Sequence, residues 1–185
     1  MTSKPSGTRR RILDAAAEIA RETGPGNLAL DAVAARAGVS KGGLLYHFPS
    51  KSQLMKGMVE HFLSSFEEAL AAREKEKEGR KNGLMEAYLE LFVEEHEGHQ
   101  PPPSGLLAAM AEDPDFLAPV RRHHRDFVTS LKSKASDPAT ALVVFLAIQG
   151  VRSMGLLNLD ILTDAEFGLA SEKLADMLAG KDRAG

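Results

Sequence analysis

The sequence predicts an all-α protein of about nine helices, an N-terminal three-helix module followed by a larger helical body. Three observations carry this. Apolar residues recur three and four apart through most of the chain, the spacing that lines them up on one face of a helix. No stretch sustains the apolar-polar alternation of a half-buried strand, and no internal repeat is present. Glycine, proline and small capping residues cut the periodic stretches into segments of helical length.

The first helix follows from Ile12, Ala15, Ala16, Ile19 and Ala20, set behind Thr8 and the basic Arg9, Arg10 and Arg11, and Gly24-Pro25-Gly26 ends it. Leu30, Val33, Ala34 and Ala37 repeat the period over a short second helix, with Asn27 a candidate cap and Gly38 placed where a glycine stops a helix. Ser40 is an N-cap for a third helix from Lys41 to Phe48, ended by Pro49. Ser50 caps a long fourth helix with Leu54, Met58, Phe62 and Phe66 on one face. That helix runs into Arg73-Glu-Lys-Glu-Lys-Glu78, which reads as a solvated end.

Gly79 to Gly83 breaks the chain before Leu84, Tyr88, Leu91 and Phe92 begin a fifth helix. His96 to Pro103 is expected to be a connector, because consecutive prolines cannot continue a helix. Two further helices are expected at about Ser104–Glu112 and Asp115–Lys134. Asp137-Pro138 then opens an apolar helix to about Asn158, and Asp164 opens the last, to about Ala179.

Composition narrows the function. With 185 residues, 43% of them hydrophobic, the chain can bury a substantial core. Having no cysteine, it can form no disulfide, thiolate metal site or cysteine nucleophile, which suits a reducing cytoplasm. The polar, basic N-terminus lacks the apolar run of a signal peptide, so a cytoplasmic location is expected. The most apolar run, Ala139 to Gln149, is about half the length of a membrane span and is followed by Arg152, so it reads as a buried helix with no membrane partner. Charge is uneven: residues 1–60 hold nine Lys/Arg and five Asp/Glu, a balance of +4 within a net charge of −3. A basic module on an acidic body points to an anionic partner for the module.

Two short helices joined by Gly38-Val39-Ser40 describe a helix-turn-helix, with the glycine permitting the turn and Val39 packing between the helices. In such a motif the second helix enters the major groove of DNA. Gly42 and Gly43 on its first turn each cost about 0.8–1.0 kcal/mol against alanine, but they let the backbone approach base edges. Ser40, Lys41, Leu45, Tyr46, His47 and Lys51 surround them as candidate base, sugar and phosphate contacts. At least one of Arg9, Arg10 and Arg11 is a candidate for a phosphate or the minor groove.

The words Arg11-Ile-Leu-Asp-Ala-Ala, Ala37-Gly-Val-Ser-Lys-Gly and Tyr46-His-Phe-Pro-Ser-Lys51 make residues 8–60 resemble the DNA-binding domain of the TetR family of transcriptional repressors. The resemblance implies a homodimeric repressor, with residues 1–50 binding a palindromic double-stranded operator and residues 51–185 binding a small-molecule inducer and the second subunit. Two positions depart from the family pattern. Leu45 stands where a tyrosine often touches DNA, leaving it a thymine methyl or a sugar to meet. Ala29 stands where a threonine commonly caps the second helix.

The apolar faces of the last two helices are broad, which nominates Leu142, Phe145, Leu146, Gln149 and Ser153 with Phe167, Ala170, Leu174 and Met177 for the dimer interface. For the inducer, a small and mostly apolar molecule, the candidates are Tyr88, Phe92, Met110, Phe116, Phe127 and Met154, with His123, Gln149 and Arg152 as polar partners. His96, His99, His123 and His124 raise a metal-sensing alternative, but their spacing matches no metal motif, so neither metal nor cofactor is expected. No paired carboxylates or activated nucleophile suggest an enzyme. A helical protein-interaction module is a further alternative, one that leaves the glycines of the third helix unexplained.

Overall fold

The structure, a computed structural model, describes residues 7–23, 28–97, 115–157, 159 and 161–181. Among these it contains eight helices: α1 Gly7–Thr23, α2 Leu30–Arg36, α3 Lys41–His47, α4 Lys51–Glu76, α5 Gly83–Glu97, α6 Ala118–Lys134, α7 Pro138–Leu156 and α8 Asp164–Ala179. No strand occurs among the described residues, so the all-α class stands. Gly24 to Asn27, His99, Met110 and the helix expected over 104–112 lie outside them.

The chain divides into two compact units, the boundary falling within α4 after Ser64 and within α6 after Arg121. In the first unit α1 packs on α2 and α2 on α3 around Ile12, Leu13, Val33, Leu44 and Leu54, all fully buried. Gly38 takes φ 64°, a left-handed conformation that disfavours any side chain, and Val39 closes the turn by donating its N–H to the Ala34 carbonyl at 3.0 Å. Ser40 caps α3, its hydroxyl accepting from the Gly43 N–H at 3.0 Å. Ala29 occupies the N-cap of α2 without a side-chain hydrogen bond. Gly57 on α4 permits a close approach, because a Cβ there would stand 2.6 Å from the Phe48 ring.

In the second unit α5 is central: Met85, Ala87, Tyr88, Leu89 and Phe92 are buried, and the helix packs on both α7 and α8. Asn82, just before α5, donates to the Leu178 carbonyl at 2.6 Å and accepts from the Ser136 N–H at 3.0 Å. Asp137 caps α7, and Thr163 with Glu166 forms a reciprocal capping box on α8, a device spelled by Thr163-Asp-Ala-Glu166.

Four expectations are corrected here. Phe62 is exposed: α4 buries Leu54 in the first unit and Phe66 and Leu70 in the second, so its inward face is not one continuous stripe. The charged end of α4 is only partly a solvated run. Arg73 donates to Glu94 at 2.8 Å and Glu90 at 3.3 Å, and Lys77, whose side chain is 12% exposed, pairs with Glu90 at 2.6 Å. Next, α5 continues through Glu97, placing His96 on the helix with its ring stacked 3.6 Å from that of Phe167. Finally, the apolar stretch of α7 is longer than its most apolar run: Pro138–Gly155 has the 18 residues and mean hydropathy of 1.3 that length and composition require of a membrane span. Its Ala141, Val144 and Ile148 nevertheless have no exposed surface and belong to the core.

Candidate functional site

The first candidate surface is α3. Its short amphipathic turn buries Leu44 and half-buries Leu45 and His47, which leaves Tyr46 as the outward side chain, 84% exposed. The Tyr46 ring stands edge-on to His47 at 5.2 Å. Because Leu45 packs against the core, only part of its side chain faces outward.

The two glycines differ. A Cβ at Gly42 would meet only the Ser40 hydroxyl, at 3.9 Å, whereas one at Gly43 would press on the same oxygen at 3.3 Å. Gly43 therefore makes room for the cap, while Gly42 is bare for no reason internal to the fold. Lys41 is exposed and paired with Asp31 of α2 at 3.1 Å, and Lys51 begins α4, half-buried. Of the three arginines, Arg9 lies 5.0 Å over the Phe48 ring and within 3.9 Å of Glu60, Arg10 lies 3.9 Å from Asp14, and Arg11 is exposed. The face thus offers a bare backbone, one projecting ring and cations, the combination that contacts to phosphates and base edges require.

The second candidate lies inside the second unit and is centred on Tyr88. The spacing of Tyr88, Phe92 and Glu95 puts them on one face of α5, and Gln149 and Arg152 share a face of α7. The Tyr88 hydroxyl accepts from Gln149 Nε2 and from Arg152 Nη1, each at 2.6 Å, and Arg152 Nη2 donates to Glu95 at 2.7 Å. Tyr88 stacks on Phe127 with ring centroids 4.5 Å apart, and Phe66 meets it edge-on at 5.4 Å. Burial raises the Tyr88 hydroxyl above its ordinary pKa, against the opposing pull of the Arg152 charge.

Five of the residues nominated for a ligand, Tyr88, Phe92, Phe127, Gln149 and Arg152, are thereby in one place. His123 borders them, 2.7 Å from Glu67 and 6.3 Å from the Phe66 ring. Sequence reasoning missed Glu95 and Phe66. Glu95 is legible as the next residue on the Tyr88–Phe92 face, whereas the apolar stripe of α4 does not say which neighbour Phe66 meets.

The nominated interface residues divide. Phe145 and Phe167 face the core of their own chain instead: Phe167 is 6% exposed, packed on Phe92 and His96, and Phe145 lies among Tyr88, His124 and Phe127. Leu142 and Leu174 are half-buried against that core, Met177 is half-buried, Gln149 bonds to Tyr88, and Ala170 is exposed. The large apolar side chains left outside on α7 and α8 are Val143, Leu146 and Leu169, the last two 64% and 68% exposed. Leu146 thus faces outward as expected, whereas Phe145 and Phe167 are turned inward.

The histidines serve other contacts. His123 and His124 turn to different neighbours, Glu67 and Phe145, with their rings 5.7 Å apart. Among the described residues no cluster of three or more His, Asp or Glu converges on a point that could hold a metal.

Comparison with known proteins places these surfaces in context. Residues 12–58 match a family model described as bacterial regulatory proteins of the tetR family, and residues 82–179 match one described as a tetracyclin repressor-like C-terminal domain. No curated protein sequence gives a match. Among solved structures, a member of the TetR family from Streptomyces coelicolor A3 is 26% identical with a TM-score of 0.65, over 93% of this chain and 98% of that one. The multidrug binding protein EbrR complexed with ethidium is 25% identical with a TM-score of 0.64, over 94% of this chain and 99% of that one. EbrR complexed with imidazole is 25% identical with a TM-score of 0.63, over 94% and 90%.

Proposed function

Because the chain belongs to the TetR family of bacterial transcriptional regulators, we propose that it is a cytoplasmic, homodimeric repressor that leaves a palindromic operator when a small, mostly apolar molecule enters its second unit. Residues 1–50 would meet DNA and residues 51–185 the ligand and the second subunit, with α4 as the link. The observation that carries the DNA-binding part is the outer face of α3, where Gly42 is bare toward solvent beside the projecting Tyr46. Ser40, Lys41, Gly43, Leu45, His47 and Lys51 complete that surface, with Leu45 offering only the edge that the core leaves free. The ligand part is supported by the Tyr88 cluster and by the likeness to EbrR, a multidrug binding protein.

One α3 reads too little DNA for a long unique site. Two copies related by a two-fold axis read half-sites about one helical turn apart. The exposed face of Val143, Leu146 and Leu169 supplies an apolar surface through which two chains can associate. Ligand binding then needs to favour a state whose recognition helices no longer match that spacing. A tenfold loss of operator affinity requires only about 1.4 kcal/mol of coupling, and by reciprocity the operator weakens ligand binding by the same factor.

Genomic footprinting followed by gel shift on the recovered sites tests this reading. The parent protein is expected to protect palindromic sites, and Lys51→Ala to weaken binding to all sequences alike while flattening the salt dependence by about one unit of slope. Failure to prefer any genomic sequence over random DNA overturns the assignment.

A further inference from the structure

The guanidinium of Arg152 sits in an unusual place. Its central carbon lies 5.1 Å from the ring centre of Phe66, 5.0 Å from that of Tyr88 and 5.6 Å from that of Phe92. All three distances are within the roughly 6 Å over which a cation feels the negative face of a ring, and Glu95 completes the enclosure with a carboxylate at 2.7 Å. Ring faces gathered around a cation that a carboxylate also pairs form the arrangement that recognises organic cations, and the delocalised, weakly hydrated guanidinium is the side chain most like such a ligand.

We infer that the interior site takes a flat organic cation, and that Arg152 is a resident surrogate which this ligand displaces. The inference rests on the reading above that the Tyr88 cluster is the effector site. The Arg152 side chain is 26% exposed and carried on a flexible stem, so it has a route to solvent. Its departure leaves Glu95, whose side chain is 35% exposed, without its charge partner, a state that a second cation relieves and a neutral ligand does not. A neutral ligand that took the same place would strand Glu95. An anion would have to draw Arg152 away from its rings and would meet Glu95 with like charge. Tyr88 keeps a hydrogen bond in either state, because Gln149 donates to the same oxygen at 2.6 Å.

The test uses DNA-free full-length protein and three probes: ethidium, a flat cation; phenanthridine, its uncharged parent ring; and anilinonaphthalene sulfonate, an anion. Calorimetry is expected to give ethidium at least a tenfold advantage over phenanthridine, about 1.4 kcal/mol. Glu95→Gln should lower ethidium affinity about tenfold and leave phenanthridine unchanged. Arg152→Ala should tighten ethidium binding, a gain that a purely structural arginine does not produce. If Arg152→Ala fails to fold, by circular dichroism, Phe92→Leu decides: removing one ring while keeping apolar volume should weaken ethidium and spare phenanthridine.

Equal affinities for ethidium and phenanthridine, a preference for the sulfonate, no binding of ethidium, or weaker ethidium binding by a folded Arg152→Ala protein each overturn the cation assignment. The effector reading itself fails only on a separate result, that no compound of any charge releases operator DNA from the wild-type protein.

Discussion

Gly42 and Gly43 are adjacent and look equivalent in the sequence, yet the fold separates them. At Gly43 a side chain crowds the capping hydroxyl of Ser40 at 3.3 Å, whereas at Gly42 it meets nothing nearer than 3.9 Å. Gly42→Ala should therefore raise stability by up to about 0.8–1.0 kcal/mol through helix propensity, while weakening operator binding by crowding the backbone's approach. Thermal melts and gel shifts on one preparation read the opposite signs; unchanged DNA affinity would remove Gly42 from the interface. His124 gives a pH signature. Burial, with the nearby His123 and Arg152 adding to it, lowers its pKa from the ordinary 6.5. A lowered histidine pKa means that the unfolded chain takes up the proton first, so this contribution to stability is complete above about pH 6.5 and is lost as pH falls through the folded value. His124→Gln should flatten the melting temperature across that interval. At this scale the sequence disclosed residue types but not their partners. Arg152 and Tyr88 are legible as candidates, whereas the bond between them, and that from Arg152 to Glu95, need a fold that brings α5 and α7 together.

Helices were the most legible features, because caps and breaks act locally. Ser40, Gly38 and Asp137 end or begin helices where their chemistry predicts, since each needs only its own turn of backbone. The phase of a helix proved harder to read, as α7 and α8 show. Both are apolar over more than one face, so periodicity cannot say which face a neighbour covers: Leu146 faces outward as expected, but Phe145 and Phe167 are buried. The same limit applies to the end of α4, where Arg73 and, just past the helix, Lys77 find acidic partners on α5 that no local pattern announces. The capping box of α8 gives a direct element-scale test. Thr163→Ala removes the hydroxyl that accepts from the Glu166 N–H, and it should cost about 1 kcal/mol, a fall of about 2–4 °C in melting temperature for a chain of this size. No change would mean that α8 is held by packing alone.

At the scale of the whole molecule, apolar periodicity foretells the all-α class and the charge distribution the basic first module, and the family resemblance supplies the expected division of labour. Association is where burial sharpens the expectation. Leu146 and Leu169 are exposed on α7 and α8, so changing both to glutamate should give folded monomers by light scattering, with the helical circular dichroism signal retained. Phe167→Glu should instead unfold the second unit, because it puts a charge among Phe92, His96 and their neighbours. A stable dimer in the double variant would move the interface elsewhere.

The chain has no tryptophan and two tyrosines, and the fold assigns one to each candidate site: Tyr46 projects from α3, and Tyr88 is enclosed beside Arg152. Biosynthetic replacement by 3-fluorotyrosine would therefore give a fluorine spectrum of two resonances, one reporting on the proposed nucleic-acid surface and one on the interior, with no engineered label. Operator DNA added alone should move the Tyr46 signal directly, and an effector alone the Tyr88 signal. Any response of the opposite signal in those titrations is the coupling itself, observed from both ends in one spectrum.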